Sequence, residues 1–457
     1  MIEGKNTRRM ISKYPFKYEK MEATDFFTKK RASIYVHIPF CASRCHYCTY
    51  VTRIGSTEAE RERYVSALIK EIEEFDHLHV FPEYLIESVY FGGGTPSLLT
   101  NGQVDRILNA IYTRFSVIKP LPDLCMEFDP VTVSDDKLAS FKEHGFTRLS
   151  LGVQSFDDTV LKASNRSHDA QTARNAIKKI RDHGIKNFNI DLIYPLQCQN
   201  MSTWKEDLIE TIAMNPAEIT AHVLEVWPGT KLERMVQEGV YKLPSFEEEI
   251  RMTNEAYDTL EKAGFVRWSN CGYYHPERSS HYSLFMDYYW RTWPMIGFGV
   301  SAQSVLGSKI WTNVPDIVQY IEHVESGKST MNVCTTMTKR QEMLRVIIRG
   351  FKACYVSKNE FFDRFGVEMG DIFPEQFTYL KNKGWVIETP DRYELTRAGQ
   401  VFDRDVYTVF YTKDDMSAPD KKGEVWLGLS LSPDEDAEAF QVPKTTLGGK
   451  ELITSVE

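Results

Sequence analysis

At 457 residues the chain exceeds what one hydrophobic core usually serves, so two or three domains are expected. Its 55 basic against 64 acidic residues leave a net charge of −9, which argues against a general nucleic-acid binder. No apolar run reaches membrane-span length, the charged start MIEGKNTRRM lacks the apolar stretch of a secretory signal, and eight cysteines do not form a disulfide framework in so long a chain, so the cytoplasm is the expected compartment.

Residues 1–30 are polar, with Tyr14-Pro15-Phe16 and Phe26-Phe27 as apolar islands, and read as an arm wrapping the domain that follows. Ile34 to Ile38 is rich in β-branched and aromatic residues and predicts a strand that Pro39 ends. Cys41, Cys45 and Cys48 therefore fall on a loop leaving a strand end. Thiolates are soft ligands suited to an iron–sulfur cluster or zinc. A structural zinc would want a fourth ligand, for which His46 is the nearest candidate.

A helical period over 58–75 follows, then a strand at 86–91 and the turn Gly92-Gly93-Gly94-Thr95-Pro96. Three glycines let a backbone approach a ligand without a Cβ in the way. Ser97 or Thr100 is placed to cap a helix near 104–115. Further strands are expected at 124–128, 148–156, 188–193 and 218–226, with helices at 135–144, 157–164, 169–182, 204–214 and 247–263, the last capped by Gly264. This alternation predicts a parallel α/β sheet, although spacing alone does not separate a doubly wound sheet from a barrel. Glu127, Gln154 and Asp191 stand near the ends of successive strands, where a barrel builds its active site.

Residues 266–334 change character. Trp268, Tyr273, Tyr274, Tyr282, Phe285, Tyr288, Tyr289, Trp290 and Trp293 crowd one stretch, which suits either a layer closing the sheet or the bed of a large flat substrate. Residues 335–411 then predict helices ending at Phe351 and covering 359–365 and 373–384, with a small β-wing at 385–396, and residues 412–457 form a polar tail.

Several of these strings resemble a known family. Cys41-x3-Cys45-x2-Cys48, preceded by Tyr35-Val-His37-Ile-Pro-Phe, is similar to the radical S-adenosylmethionine (SAM) superfamily. The closer resemblance is to the subfamily of oxygen-independent coproporphyrinogen III oxidase, with its class C radical methyltransferase and cyclopropanase relatives. It implies an open, partial (β/α)6 TIM-like barrel over 31–265 and an α+β, winged-helix-like domain over 335–411. It implies a [4Fe–4S] cluster held by Cys41, Cys45 and Cys48, with SAM, in two copies, as cofactor. Gly93, Gly94 and Thr95 then match the turn lining the SAM amino group, Tyr35 packs by the sulfonium, and Glu127 engages SAM. Gln154, Arg166, Asp191 and Ile193 match residues around its nucleoside and carboxylate. Gln303 stands where a histidine is frequent and, with Tyr35 and Glu127, is expected in the catalytic set. Two departures are visible: Asp129 replaces the usual asparagine, and Tyr194-Pro195-Leu-Gln197 replaces a glycine-rich element, which is expected to reshape the adenine or substrate wall.

The implied function is a radical SAM enzyme moving a methyl or methylene group to an sp² carbon of a planar aromatic or heterocyclic small molecule, with flavodoxin or ferredoxin as reducing partner. The alternatives are an enzyme of heme or porphyrin metabolism, either a ring-opening methyltransferase or the oxidase itself, and a non-enzymatic heme carrier. The oxidases carry a further cysteine where this chain has Thr49-Tyr50, which counts against that activity. A winged helix also binds DNA elsewhere, but no marked basic recognition helix stands out here.

Overall fold

The computed structural model describes residues 30–75, 84–279 and 282–411. The expected arm, but for Lys30, and the polar tail therefore lie outside the described residues.

Six strands alternate with helices in the order expected. They are β1 (Arg31–Ile38), α1 (Glu58–Glu73), β2 (Leu85–Gly93), α2 (Asn101–Arg114), β3 (Asp123–Phe128), α3 (Asp135–Glu143), β4 (Arg148–Gln154), α4 (Ala170–Asp182), β5 (Phe188–Tyr194), α5 (Met201–Ala213), β6 (Glu218–Val223) and α6 (Phe246–Lys262). Helix starts are set locally. Thr57 and Glu60 form a capping box on α1, Thr100 and Gln103 on α2, and Ser245 and Glu248 on α6. Of the two candidate caps after the glycine turn, Thr100 takes the role and Ser97 sits in a short 3-10 turn.

β1 to β6 pair in parallel, each with its successor in sequence. Because side chains alternate across a strand, one face of each strand packs on helices and the other faces inward. Ile34, Val36, Val89, Phe91, Leu124, Met126, Leu149, Leu151, Ile190 and Leu192 are buried in the main hydrophobic core. The inward face is polar and its lower end is closed by ion pairs. Arg148 bridges Asp123 and Glu218, Ser88 Oγ donates to Asp123 at 3.3 Å, and Trp268 Nε1 donates to Glu218 at 3.2 Å. Charges so deeply buried persist only when paired and hydrogen-bonded.

The sheet continues at both sides and does not close on itself among the described residues. Past β6 lies antiparallel β7 (Gly272–Tyr274). After α7 (Leu284–Trp290), β8 (Met295–Phe298) pairs in parallel with β1 and leads into an antiparallel run of β9 (Gln303–Leu306), β10 (Lys309–Asn313) and, after α8 (Ile317–Glu325), β11 (Met331–Thr336). α1 is tied to this run through Glu71, which accepts from Gly299 N, Asn313 Nδ2, Tyr320 Oη and Thr330 Oγ1 at 2.7–2.8 Å.

The remaining residues build a second core. α9 (Lys339–Lys352), β12 (Tyr355–Ser357), α10 (Lys358–Phe365), α11 (Pro374–Asn382), β13 (Val386–Glu388) and β14 (Arg392–Leu395) follow, with β14 between β12 and β13 in a three-stranded sheet. Ile347, Ile348, Phe351, Phe361, Phe377 and Leu380 are buried together here. β12, which the sequence reading did not include, adds a strand between α9 and α10. This part is fastened to α6 and the residues just after it: Arg267 donates to Gln400 Oε1 at 2.7 Å, Arg397 pairs with Asp258 and Glu261, and Arg404 pairs with Glu249.

Candidate active site

At the carboxyl ends of β1–β6 the structure leaves a cavity of about 1100 Å³, roofed on one side by α9 and residues 400–405. Every residue expected from sequence to serve the site lines it: Tyr35, Cys41, Cys45, Cys48, Gly93, Gly94, Thr95, Glu127, Gln154, Arg166, Asp191, Ile193 and Gln303. Two separate devices bring them together. Period-two alternation puts Tyr35, Glu127, Asp191 and Ile193 on the inward strand faces. The loops after β1, β2 and β4 deliver the cysteines, the glycine turn and Arg166, while Gln154 ends β4 and Gln303 opens β9.

The cysteine loop is pinned by its backbone. His46 N donates to Ser164 O at 3.2 Å, Leu232 N to His46 O at 2.8 Å, and Asn165 Nδ2 to Arg44 O at 2.8 Å. Both backbone groups of His46 are thus engaged, and its side chain does not line the cavity. The fourth zinc ligand considered from sequence is therefore not on the cavity wall that carries the three thiols. Thr95 Oγ1 lies 3.6 Å from Cys41 Sγ, and Arg166 Nη1 lies 3.2 Å from Cys45 Sγ. Burial pushes the Cys41 thiol up to about 12, against the Thr95 hydrogen bond that favours thiolate, and it also raises Cys48. Such thiols ionise readily only on binding a metal.

Among the described residues no three His, Cys, Asp or Glu side chains converge on a single-ion site. Three separate thiols on one cavity wall, one beside a guanidinium, suit an iron–sulfur cluster, in which each cysteine holds a different iron. The turn after β2 is cut to the same shape. Gly93 has φ +110°, and a Cβ there would lie 2.5 Å from the His37 ring. A Cβ on Gly94 would lie 2.7 Å from Phe40 O and 3.0 Å from Cys41 Sγ.

The polar rim carries unusual electrostatics. Burial lifts Glu127 to about 7, reinforced by Asp191 and opposed by hydrogen bonds from Tyr90 Oη at 2.7 Å and Gly93 N at 3.1 Å. Burial works against ionised Asp129 too, but His168 and Arg166 outweigh it and hold the carboxyl at about 2. The aspartate that departs from the family pattern thus anchors Arg166, which also donates to Gly152 O at 2.6 Å. Gln154 adopts a left-handed φ of 71° at a bulge against β5, uncommon for a residue with a side chain, and its buried Oε1 has no hydrogen-bond partner among the described residues. A strained residue with an orphaned acceptor aimed into a cavity fits a ligand such as the nucleoside of SAM.

Sequence reasoning missed part of the rim. His222 lines the cavity from β6, on the alternation Glu218, Thr220, His222 that a period-two reading exposes. Burial disfavours its charge, but contact with Cys271 and the Asp191 and Glu225 carboxylates lifts it to about 9. The residue is exposed to solvent and lines the cavity.

The Tyr194 departure is corrected. Tyr194 is buried on the helix side of β5, stacked on Trp204 at 4.4 Å, with its hydroxyl on Thr253 Oγ1 at 3.2 Å. It does not line the cavity, because it stands one residue from inward-facing Ile193. The aromatic stretch divides. Trp268 stacks on Tyr282 at 4.3 Å and Tyr273 and Tyr288 are fully buried, whereas Phe285, Tyr289 and Trp290 line the cavity. Phe285 stacks on Tyr90 at 4.5 Å and on Tyr35 at 5.7 Å, making an aromatic floor.

An open sheet of sequential parallel strands, carrying a three-cysteine loop and a glycine turn at one mouth, defines a radical SAM enzyme. Residues 35–209 match the family described as the radical SAM superfamily. Among curated relatives, the heme chaperone HemW of Bacillus subtilis is 27% identical over 382 residues, covering 83% of this chain and 98% of that protein. The oxygen-independent coproporphyrinogen III oxidase of Pseudomonas aeruginosa is 26% identical over 83% of this chain and 85% of its own. Among solved structures, coproporphyrinogen III oxidase (HemN) from Escherichia coli superposes with a TM-score of 0.70 at 23% identity, covering 84% of this chain and 91% of that one, which establishes the shared fold. No helix among the described residues is long and apolar enough to cross a membrane.

Proposed function

We propose that this chain is a radical SAM enzyme that acts on the ring of a heme or porphyrin. The observation that carries the reading is one cavity of about 1100 Å³ shared by the cysteine loop, the polar strand ends and the aromatic floor. Small-molecule pockets usually measure roughly 300–1,000 Å³, so this one has room for a cofactor and a large flat acceptor together. Relatives matching most of this chain carry heme or porphyrin in their names, and this reverses the order expected from sequence. The full reading includes the partial (β/α)6 barrel and the winged-helix-like domain that the resemblance implies.

Cys41, Cys45 and Cys48 would hold a [4Fe–4S] cluster, with SAM bound against Gly93, Gly94, Thr95, Glu127, Gln154, Arg166, Asp191 and Ile193. When bound and reduced, these groups supply homolytic cleavage of SAM to methionine and a 5′-deoxyadenosyl radical. This chain's own residues position and exclude. Arg166, clamped by Asp129, keeps a cation beside Cys45. Tyr35, Tyr90 and Phe285 give a flat apolar surface on which an aromatic ring can lie. Tyr50, 55% exposed, stands at the cavity wall where the oxidases carry a further cysteine. The reaction we favour is therefore alkyl transfer to a ring carbon, with a second SAM as methyl source, over oxidative decarboxylation.

Heme carriage without SAM turnover is the second reading, supported by the chaperone named among the relatives. The test is anaerobic turnover of reconstituted protein with hemin, a reductant and methyl-deuterated SAM. Alkyl transfer predicts 5′-deoxyadenosine, S-adenosylhomocysteine and a mass-shifted tetrapyrrole. Carriage predicts bound, unaltered heme and no heme-dependent SAM consumption.

A further inference from the structure

The roof of the cavity carries a buried basic face with no role in holding SAM. Arg345, Arg349 and Lys352 stand four and three residues apart on α9, so they share one side of the helix. All three line the cavity, and they are only 2%, 5% and 5% exposed. A basic face on an amphipathic helix ordinarily points to solvent. Here it points inward, at a cost in desolvation that requires compensation.

Structural compensation is present but incomplete. The Arg349 guanidinium lies 4.3 Å from the Tyr289 ring centroid and 5.9 Å from that of Trp290, and Lys352 Nζ lies 4.9 Å from Tyr407 and 5.9 Å from Trp290. Lys352 also closes the last turn of α9, where a cation suits the helix dipole. Rings hold a cation's face, but they do not take its N–H donors. Arg349 Nε and Nη1 are buried and have no hydrogen-bond partner among the described residues. Of the carboxylates on the same stretch of the cavity wall, Glu249 pairs with Arg404 at 3.2 Å and Asp403 accepts from Tyr407 Oη at 2.8 Å, and Glu225 and Asp405 also line the cavity. A guanidinium whose Nε and Nη1 donors stay unsatisfied, beside two further cations on the same helix face, matches the carboxylates of an acidic ligand, each accepting in the guanidinium plane.

We propose that the Arg345, Arg349 and Lys352 face of α9 is a carboxylate subsite. It holds the acidic side chains of the tetrapyrrole while Tyr289 and Trp290 flank the ring. This rests on the heme or porphyrin reading and adds to it that the substrate is a free acid, presented to the cysteine loop from a fixed edge.

The test compares acids with their neutral esters on full-length, anaerobically reconstituted protein with SAM present, following quenching of tryptophan fluorescence. Mesoporphyrin IX should bind about tenfold or more tighter than its dimethyl ester, a difference of about 1.4 kcal/mol. Arg349→Gln should bring the two within about threefold, and Arg349→Lys should retain part of the preference, with folding of each variant checked by thermal melting. The comparison in the unaltered protein needs no variant. Equal binding of acid and ester there, or an undiminished preference in Arg349→Gln, overturns the subsite. If neither porphyrin binds, the tetrapyrrole reading falls, and pyrene-1-carboxylate against its methyl ester decides the subsite separately. Preference for the acid, lost in Arg349→Gln, upholds it. Equal binding of that pair, or none, overturns it.

Discussion

Glu127 is the side chain through which pH should act on the site. Its carboxyl is held at about 7 in the folded protein against an ordinary 4.5. The native state therefore holds this proton more tightly than the unfolded chain, and folding stability falls as pH rises from about 4.5 to about 7. Above that range the buried charge costs on the order of 3 kcal/mol. Glu127→Gln should consequently raise the melting temperature of cofactor-free protein at pH 8 and leave it nearly unchanged at pH 5. A melting series across that range checks this, and an equal shift at both ends would remove the charge from the explanation. The same substitution should weaken SAM at pH 8, because the carboxylate is proposed to engage it. Gln154→Ala and Asp191→Ala should likewise weaken SAM several-fold in equilibrium dialysis while iron content stays at about four per chain, as expected for residues placed at the nucleoside and away from a cysteine-held cluster. Unchanged SAM affinity in both would leave Gln154 strained for no ligand.

At the scale of elements, the glycine turn after β2 and the cysteine loop after β1 are built against each other. Gly93→Ala would put a Cβ 2.5 Å from the His37 ring at φ +110°. It should cost roughly 1–3 kcal/mol, read from urea melts, and weaken SAM binding with it. Gly102→Ala is the control. It sits in α2 with nothing within 4 Å of the added Cβ, so it should be neutral or stabilising by up to about 1 kcal/mol. Replacing Cys41, Cys45 or Cys48 by Ala should abolish iron binding after reconstitution, and iron retained by the triple variant would contradict the ligand assignment.

These loops were legible in sequence because their chemistry is local: three thiols in eight residues, three glycines in a row. The strand alternation was legible for the same reason, and Glu127, Gln154 and Asp191, read near successive strand ends, all line the cavity. What escaped depends on which side of an element faces inward. Tyr194 seemed part of the substrate wall, but its neighbour Ile193 is inward, so Tyr194 packs on Trp204. His222 was passed over as one more strand residue. The basic residues of α9 look like a solvated face, and only the packing of the second core over the sheet turns them inward. The aromatic stretch could not be divided in advance, because a ring packed under a sheet and a ring bedding a ligand have the same composition.

The whole molecule is a sheet with a cofactor-bearing mouth and a second core set across it. Arg267, Arg397 and Arg404 fasten that second core to the sheet side, so the cavity has walls from both. This arrangement is what gives a volume beyond that of one small ligand, and it places the aromatic floor and the cationic roof on the same chamber as the cysteines. Under the proposed function, chemistry on a large acceptor requires both parts at once, whereas SAM binding draws mainly on the sheet. The most direct measurement is the rate of 5′-deoxyadenosine formation by anaerobically reconstituted, reduced protein with and without hemin. The account predicts that hemin accelerates it well above the uncoupled background and that the tetrapyrrole is altered in step. Hemin bound in stoichiometric amount with no acceleration and no altered ring would contradict an enzyme acting on heme.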